Sequence, residues 1–297
     1  MSAGPATFLI GQSAFTAPPL EPALYLVATP IGNLSDITIR ALQVLAAADV
    51  MACEDTRVTR VLLERYGIRR RASAYHEHNA DSAGPKLIAE LAAGRSVALA
   101  SDAGTPLVSD PGHRLVEAAI EAGIRVVPIP GASAVLAALA VSGLPSDAFF
   151  FAGFLSAKDG QRRTRLDELK AVPGTLVFFE SPRRLAASLR SMAEVLGDRP
   201  AAVCRELTKT FEEARRGTLA ALAAHYAEAD TPKGEIVVCV GPPLAEEPAS
   251  AEDTDRLLLA LSAEMGASRA AGEAARMTGT KKADLYRRLM ELKGDAG

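Results

Sequence analysis

Between Ala23 and Gly241 the sequence alternates short runs of β-branched and aromatic residues with amphipathic stretches of helical period. The runs that predict strands lie at residues 24–28, 50–53, 97–100, 125–129, 149–154, 176–179, 202–204 and 236–240. Repeated strand–helix–strand units form largely parallel sheets with helices on both faces. The sequence therefore predicts an α/β fold, and Gly143-Leu144-Pro145 marks a boundary between two such domains.

The two ends of the chain differ from this central region. The N-terminal end is rich in Ala, Pro and Ser, and it has no basic residue before its apolar patch at Phe8-Leu9-Ile10, which argues against a secretory signal. We expect a flexible tail at residues 1–22, an N-terminal α/β domain at 23–143 and a C-terminal α/β domain at 144–243. An acidic linker with a small helical domain follows at 244–297.

The last segment changes the sign of its charge part-way along. Residues 244–265 carry six acidic side chains against one basic, whereas residues 267–297 carry seven basic against four acidic. Two short helices, about 269–277 and 282–292, are separated by Thr278-Gly279-Thr280, which has the proportions of a helix-turn-helix. A helical pair that docks on its own body or on a second copy of the chain is the alternative.

Dense polar clusters begin where predicted strands end. They occupy residues 29–33, 54–57, 101–106, 130–133, 180–184 and 205–209. In open α/β sheets, ligands bind in the crevice at the carboxyl ends of the strands, so the six clusters together predict a cleft. Any one of them could instead be a tight turn, because Gly, Pro, Ser and Asp favour turns.

The sequence excludes several classes of protein. It contains no Gly-x-Gly-x-x-Gly fingerprint for dinucleotides, no Walker A loop and no Gly-x-Ser-x-Gly nucleophile elbow. Its three cysteines are far apart, which argues against a zinc site or disulfides and indicates a reducing cytoplasm. A net charge of −3 argues against nucleic-acid binding by bulk charge, although not against a local basic face. Residues 132–155 are nearly uncharged but are interrupted by Gly143 and Pro145, so we expect no membrane partner.

Histidines and arginines give further candidate contacts. His76 and His78 would share one side of a strand, yet no third or fourth metal ligand is evident, so we predict no metal and leave substrate contact or structural hydrogen bonding open. Arginines cluster at residues 57–71 and 162–165. Such runs form solvated helix faces or bind phosphates.

Six motifs in one order resemble a known family. They read ATPIGNLSDIT at residues 28–38, CEDTR at 53–57, YHEHN at 75–79, SDAGTPLVSDPG at 101–112, ESPRR at 180–184 and RELTK at 205–209. Together they closely resemble the tetrapyrrole methylase superfamily, in its branch of small-subunit ribosomal RNA methyltransferases. The resemblance covers about residues 24–241, and residues 283–289 resemble the small C-terminal helical domain of that branch.

The resemblance implies two α/β domains of tetrapyrrole-methylase type with a cofactor cleft between them. It implies S-adenosylmethionine as methyl donor, the 2′-hydroxyl of a cytidine in 16S ribosomal RNA as acceptor, and a homodimer acting on the small ribosomal subunit. The cofactor contacts carried over are Pro30, Ile31, Ser101, Asp102, Ala103, Leu107, Ser133, Ala134, Glu180, Thr208 and Gly234. The RNA contacts that we expect are Arg57, Arg60, His76, His78, Asn79, Arg183 and Arg184.

Catalysis of such a transfer needs an aligned and activated hydroxyl. Lys209 and Glu206, with Glu180 nearby, lie at the mouth of the predicted cleft, so we expect Lys209 and Glu206 to orient the hydroxyl or ease its deprotonation. A lysine that only pairs with a phosphate or a surface acid is the alternative.

Two other functions remain open on the sequence. In tetrapyrrole-modifying members the loop corresponding to residues 28–33 is richer in glycine, a departure that favours the RNA branch over a porphyrinoid acceptor. A regulator that binds nucleic acid through its C-terminal helices, without catalysis, is the other alternative.

Overall fold

The first half of the chain contains a five-stranded parallel sheet in this computed structural model, which describes residues 6–108, 112–244 and 251–294. Its elements are β1 (Thr7–Ile10), β2 (Ser13–Thr16), β3 (Leu24–Val27), α1 (Ile39–Ala47), β4 (Val50–Cys53), α2 (Thr56–Arg65), β5 (Ala72–Ala74), α3 (Ala80–Ala92), β6 (Val97–Ala100), α4 (His113–Glu121), β7 (Val126–Ile129) and α5 (Ala134–Ser142). The strand order is β5-β4-β6-β3-β7. The structure does not describe residues 1–5, 109–111, 245–250 and 295–297. These residues belong to the predicted tail, to the motif at 101–112, to the acidic segment and to the C-terminal end.

Both faces of this sheet are buried, which explains the nearly continuous apolar runs in its strands. Tyr25 and Met51 point into a core shared with α1 and α2. Their neighbours Leu24 and Ala52 point into a second core, shared with α3 and α4. The predicted helix-covered parallel sheet is therefore confirmed for this half.

The second half contains a mixed sheet, where the sequence predicted a largely parallel one. Its elements are β8 (Phe149–Phe154), α6 (Asp159–Leu169), β9 (Thr175–Glu180), α7 (Leu185–Leu196), β10 (Pro200–Arg205), β11 (Glu213–Thr218), α8 (Leu219–Glu228) and β12 (Ile236–Val240). The strand order is β11-β10-β12-β9-β8, and only β8 and β9 pair in parallel. The polar sequence of β11 gave no strand signal, so the β10–β11 hairpin that reverses the chain was missed.

Helix α5 connects the first half to the second sheet. Its residues Val135, Ala138 and Leu139 pack against Val177 and the other side chains on one face of that sheet, and Ile31 joins the same core. Ser133 caps the helix by accepting a hydrogen bond from the Leu136 N–H. The loop after β3 is thereby placed beside the second sheet.

The predicted flexible tail is corrected in its described part. β1 and β2 pair as an antiparallel hairpin, and Phe8 is only 1% exposed in the core that holds α1 and α2. The Leu9 N–H also donates to the Tyr66 carbonyl at 2.8 Å. Burial of a large aromatic ring offsets the entropy of ordering a short segment, and composition alone did not reveal this.

The described residues that follow Pro243, Leu244 and 251–294, belong to a separate compact unit. Its helices are α9 (Ala251–Glu264), α10 (Ala267–Thr278) and α11 (Lys282–Gly294), in agreement with the predicted helical domain. Leu258, Ala271, Leu285 and Leu289 form its core. Gly279 ends α10 with a φ of 69°, a left-handed conformation that glycine adopts without strain. Across all the described helices, none is long and apolar enough to cross a membrane.

The hairpin gives a test of stability. We expect Phe8→Ala to lower the free energy of unfolding by about 3 kcal/mol, because it empties a buried site. Phe15 stacks on Phe8 but is 45% exposed, so Phe15→Ala should cost only about 1 kcal/mol. Urea unfolding of both variants measures this difference. Equal, small losses of the free energy of unfolding would indicate that Phe8 does not anchor the hairpin and that the segment is a flexible tail.

Candidate active site

The loops after β3 and β6 are joined directly at the carboxyl edge of the first sheet. The Thr29 N–H donates to the Gly104 carbonyl at 2.9 Å, and the Gly104 N–H donates back to the Thr29 carbonyl at 3.0 Å. The Thr29 hydroxyl donates to the Ser101 carbonyl at 2.9 Å. The Asp102 carboxylate accepts from the Asp55 N–H at 2.8 Å, which ties in the loop after β4. Three of the predicted polar clusters therefore form one surface.

Two cavities open on this surface. The first, of about 470 Å³, is lined mainly by the loops after β6, β7, β9 and α8, and by Phe154 and Phe179. The second, of about 440 Å³, lies between the loop after β3 and helix α2. Four residues line both cavities: Ile31, Asp102, Ala103 and Glu235. The two spaces therefore meet at a common wall.

Most of the expected cofactor residues line these cavities. Those in the first cavity are Ser133, Ala134, Glu180 and Gly234, those in the second are Pro30 and Ser101, and those in both are Ile31, Asp102 and Ala103. Leu107 and Thr208 line neither cavity. Both adopt a positive φ, of 74° and 67°, and the Thr208 hydroxyl accepts from the Asn33 N–H at 3.2 Å. Both residues lie in loops beside the cavities, and their cofactor contacts stay a prediction.

Lys209 and Glu206 form a half-buried ion pair beside the second cavity. The Lys209 ammonium lies 2.7 Å from Glu206 and 3.1 Å from Glu235, and the Glu206 carboxylate also accepts from the Glu235 N–H at 2.9 Å. A Cβ on Gly32 would lie 2.5 Å from the Lys209 side chain, and one on Gly234 would lie 2.3 Å from the Glu206 carboxylate. Glycine at these two positions makes room for the pair.

The charges of this pair are mutually stabilised. Burial opposes the charge of Lys209, but hydrogen bonds to Glu206 and Glu235 outweigh it and raise the pKa of the ammonium. The hydrogen bond from Lys209, and then that from the Glu235 N–H, lower the pKa of Glu206. Lys209 is therefore protonated near neutral pH, and it can donate hydrogen bonds but cannot accept a proton there.

Glu180 is fully engaged by its own chain. Its carboxylate is almost completely buried and accepts from the Ser181 N–H at 2.7 Å, the Ser188 hydroxyl at 2.5 Å and Arg184 at 2.8 Å. Arg184 also donates to the Leu155 carbonyl at 3.2 Å. The expected RNA contact through Arg184 is therefore disfavoured, because its guanidinium is already paired, whereas Arg183 is exposed.

The other expected RNA contacts lie outside the cavities. Arg57 forms a bidentate pair with Asp55, and this hydrogen bonding lowers the pKa of Asp55 to about 2. Arg60 lies 3.6 Å from Glu64 in an exposed pair on the same helix. The Asn79 side chain closes a turn by accepting from the His76 N–H at 2.9 Å.

The second arginine cluster is occupied by internal ion pairs. Arg162 is buried against Asp159 at 2.6 Å, Arg163 pairs with Asp159 and Glu194, and Arg165 pairs with Glu168 at 2.8 Å. Arg162 is therefore committed to its own chain by burial, whereas the pair of Arg165 and Glu168 is exposed and can exchange for a phosphate. Within the described ranges, no three His, Cys, Asp or Glu side chains are grouped so as to hold a metal ion.

Sequence reasoning missed several lining residues. Val58 and Val61 of α2 line the second cavity, and Phe154 and Phe179 line the first. The aromatic run at Phe149–Phe154 was visible in the sequence, but a strand buried on both faces accounts for it equally well. The 46% and 54% exposure of the two valines, which marks them as unusual, appears only in the structure.

Comparison with known proteins identifies the class of protein to which this fold and site belong. Residues 23–223 match the tetrapyrrole (corrin/porphyrin) methylases, and residues 248–293 match the RsmI C-terminal helix-turn-helix domain. Among solved structures, diphthine synthase has a TM-score of 0.58 at 18% identity, covering 73% of this chain and 89% of that one. Uroporphyrin-III C-methyltransferase of Thermus thermophilus, complexed with S-adenyl homocysteine, has a TM-score of 0.51 at 21% identity, covering 73% and 96%. At these identities, the structures show a shared fold.

Closer relatives narrow the class. The ribosomal RNA small subunit methyltransferase I of Mesorhizobium japonicum is 73% identical over 292 residues, which cover 97% of this chain and 98% of that protein. The protein of the same name from Escherichia coli O157:H7 is 47% identical over 91% of this chain and 96% of its own length. The chain belongs to the ribosomal RNA small subunit methyltransferase I family of tetrapyrrole methylases.

Adjacent arginines after β9 give a matched test of the site's architecture. We expect Arg184→Ala to lower the free energy of unfolding by about 3 kcal/mol, because it leaves the buried Glu180 carboxylate without its cation. Arg183→Ala should change it by less than about 0.5 kcal/mol, as is usual at an exposed position. Denaturant unfolding of both variants measures this, and similar losses would contradict the internal role of Arg184.

Proposed function

We propose that this protein transfers the methyl group of S-adenosylmethionine to the ribose 2′-hydroxyl of a cytidine in 16S ribosomal RNA. The observation that carries the proposal is the near full-length similarity to relatives named for methylation of small-subunit ribosomal RNA. The two cavities with a common wall support it, because a methyl transfer needs a donor and an acceptor held side by side.

The first cavity fits the methyl donor. About 470 Å³ is within the usual range of sites for small ligands. Apolar residues such as Val237 and Phe179 line it, and the carboxylates of Asp102 and Glu235 suit a cationic sulfonium. We assign Ser133, Ala134 and Gly234 to this ligand, together with the wall shared by the two cavities. When bound, S-adenosylmethionine supplies an electrophilic methyl carbon.

Lys209 and Glu206 act on the acceptor side. The ammonium of Lys209, protonated and held by Glu206, donates a hydrogen bond to the acceptor hydroxyl oxygen and stabilises negative charge on it as the hydroxyl proton passes to solvent water. Alignment of this kind can supply about 7–11 kcal/mol of the barrier reduction. Glu206 is the positioning residue, since its carboxylate keeps the ammonium beside the second cavity.

The RNA contacts, the partners and the location of the protein are part of the same proposal. We assign RNA contacts to Arg57, Arg60 and Arg183, whose exposed side chains can reach phosphates, and to the turn of His76, His78 and Asn79. The acceptor is the RNA of the small ribosomal subunit, the protein is a homodimer, and the location is the cytoplasm. Single-particle reconstruction of the protein bound to small subunits checks the contacts and the stoichiometry together.

A parallel acceptor assay tests the proposed function. S-adenosylmethionine labelled in its methyl group is offered with small subunits that lack the modification, with naked 16S RNA, with a tetrapyrrole and with duplex DNA. We expect label in the RNA of the small subunits, at a ribose of cytidine. Label in the tetrapyrrole, or binding of DNA with no transfer to any acceptor, would refute the proposal.

The role of Lys209 is tested by substitution. Lys209→Met should lower kcat by about 100-fold or more, as expected for loss of one preorganised hydrogen-bond donor, while the dissociation constant of S-adenosylmethionine stays near the wild-type value. Lys209→Arg should restore part of kcat, because it keeps the charge. The wild-type rate should be level across neutral pH, since the raised pKa keeps Lys209 protonated.

The matched control is Lys86→Met, which removes an exposed lysine on α3 that lines neither cavity. It should leave the rate unchanged. If Lys209→Met transferred methyl groups at the wild-type rate, the catalytic assignment would be wrong and the ion pair would be purely structural.

A further inference from the structure

The N-terminal hairpin of β1 and β2 exposes apolar side chains that line neither cavity. Leu9, Ile10 and Phe15 are 38%, 39% and 45% exposed. Because Phe8 is opposite Phe15 in the pairing register, Phe15 and Ile10 lie on the same side of the ribbon as the buried ring of Phe8. Several exposed apolar side chains on one short segment mark an interaction surface, whereas a single one would not.

The hairpin is ordered by its own chain. The Leu9 N–H donates to the Tyr66 carbonyl at 2.8 Å, and the Ala17 N–H donates to the Ala6 carbonyl at 2.8 Å. A Cβ on Gly67 would lie 2.8 Å from the Leu9 side chain, so this glycine allows the two segments to approach closely. A surface that is already ordered loses little conformational entropy when a partner binds.

Three arginines without an internal partner border the hairpin. Arg65, Arg69 and Arg71 are exposed and lie within five residues of Tyr66, to which β1 is hydrogen-bonded. Among the residues that the structure describes, none of the three forms an ion pair, unlike the arginines nearer the start of α2. The carboxylate nearest in sequence, that of Glu64, is already paired within α2. Exposed cations of this kind favour an anionic partner.

The position of the hairpin relates this surface to the second cavity. Helix α2 leads from Val61, which lines that cavity, to Tyr66 directly after its last residue, and a rise of 1.5 Å per residue gives about 8 Å. Successive nucleotides of a stacked strand are about 3.4 Å apart. A strand of RNA with one nucleotide in the second cavity therefore reaches the hairpin within a few nucleotides.

We propose that Ile10, Phe15, Arg65, Arg69 and Arg71 form a hairpin surface that binds an unpaired stretch of RNA next to the target nucleotide. The inference rests on the proposed function and adds to it a contact outside both cavities. A base stacks on the exposed ring, and the arginines pair with phosphates of the same strand. Because stacking tolerates any base, the surface increases affinity for the RNA without selecting the nucleotide that is methylated.

Removal of the three charges tests the hairpin surface in the full-length protein. Arg65→Ala, Arg69→Ala and Arg71→Ala, combined in one variant, should weaken binding to small subunits by about tenfold or more. The slope of the logarithm of the binding constant against the logarithm of salt concentration should decrease by about 2, because each phosphate contact on a single strand contributes about 0.7. The dissociation constant of S-adenosylhomocysteine should change less than about twofold.

The matched control removes the same charge from exposed positions that line neither cavity, by combining Lys86→Ala, Lys170→Ala and Arg190→Ala. This variant should keep the wild-type affinity and slope. Equal loss of slope in both variants would show an effect of net charge alone, and an unchanged slope in the first variant would show that its arginines contact no phosphate. Either result would overturn the hairpin surface.

Substitution of the exposed ring separates stacking from charge. Phe15→Ala should weaken binding to small subunits by about tenfold, as expected for loss of one stacked base, and should leave the salt slope unchanged. Phe15→Tyr keeps the ring and should bind as the wild type does. The control is Ile120→Ala, because Ile120 is 62% exposed on α4 and lines neither cavity. Wild-type affinity of Phe15→Ala would refute the stacking contact.

Photo-crosslinking identifies the partner of the ring directly. Phe15→p-benzoylphenylalanine, irradiated in the presence of small subunits, should crosslink to 16S RNA. A crosslink to a ribosomal protein, a crosslink to a second copy of this chain, or no crosslink at all would overturn the assignment of RNA to this surface.

These measurements separate the inference from the proposed function. If the wild-type protein methylates small subunits and the triple arginine variant binds them with the wild-type slope, the hairpin surface is refuted and the proposed function stands. If the wild-type protein transfers methyl groups to no RNA, while the slope and the crosslink behave as expected, the proposed function is refuted and the RNA surface stands.

Discussion

The site depends on the two-way hydrogen bonding between Thr29 and Gly104. These bonds join the loops after β3 and β6, which leave adjacent strands of a parallel sheet and could otherwise diverge. The joined loops carry Ile31, Asp102 and Ala103, which line both cavities. This pair of backbone hydrogen bonds thus fixes the wall that the two cavities share, and the carboxylate of Asp102 links that wall to the loop after β4.

The sequence allowed the location of the site to be predicted better than its chemistry. Parallel strands place their carboxyl ends at one edge, so polar clusters after strands had to converge, and those that contain Thr29, Asp55 and Asp102 do. The mixed order of the second sheet could not be predicted, because β11 is polar and its sequence does not predict the strand that pairs with β10. The N-terminal hairpin was not predicted, because a single buried ring, that of Phe8, stabilises it. One aromatic residue hardly changes the composition of a segment rich in Ala, Pro and Ser.

The positions of basic residues in the sequence were the poorest guide to which cations face a ligand. Within the basic run at residues 162–165, Arg162 is buried against Asp159, and Arg184 pairs with the buried Glu180. By contrast, Lys209 retains its charge because two carboxylates hold it in partial burial. Whether a cation faces a ligand or its own chain depends on partners that are distant in sequence, so a count of basic residues cannot distinguish them.

Helix α5 has a consequence for motion. It precedes the boundary predicted at Gly143, yet its apolar residues Val135, Ala138 and Leu139 cover a face of the second sheet. Swinging the two sheets apart would strip that cover and expose apolar surface at about 25 cal/mol per Å². The cleft is therefore not a hinge between independent lobes. Ligands therefore reach the two cavities without any separation of the sheets, through the openings by which these cavities already meet solvent.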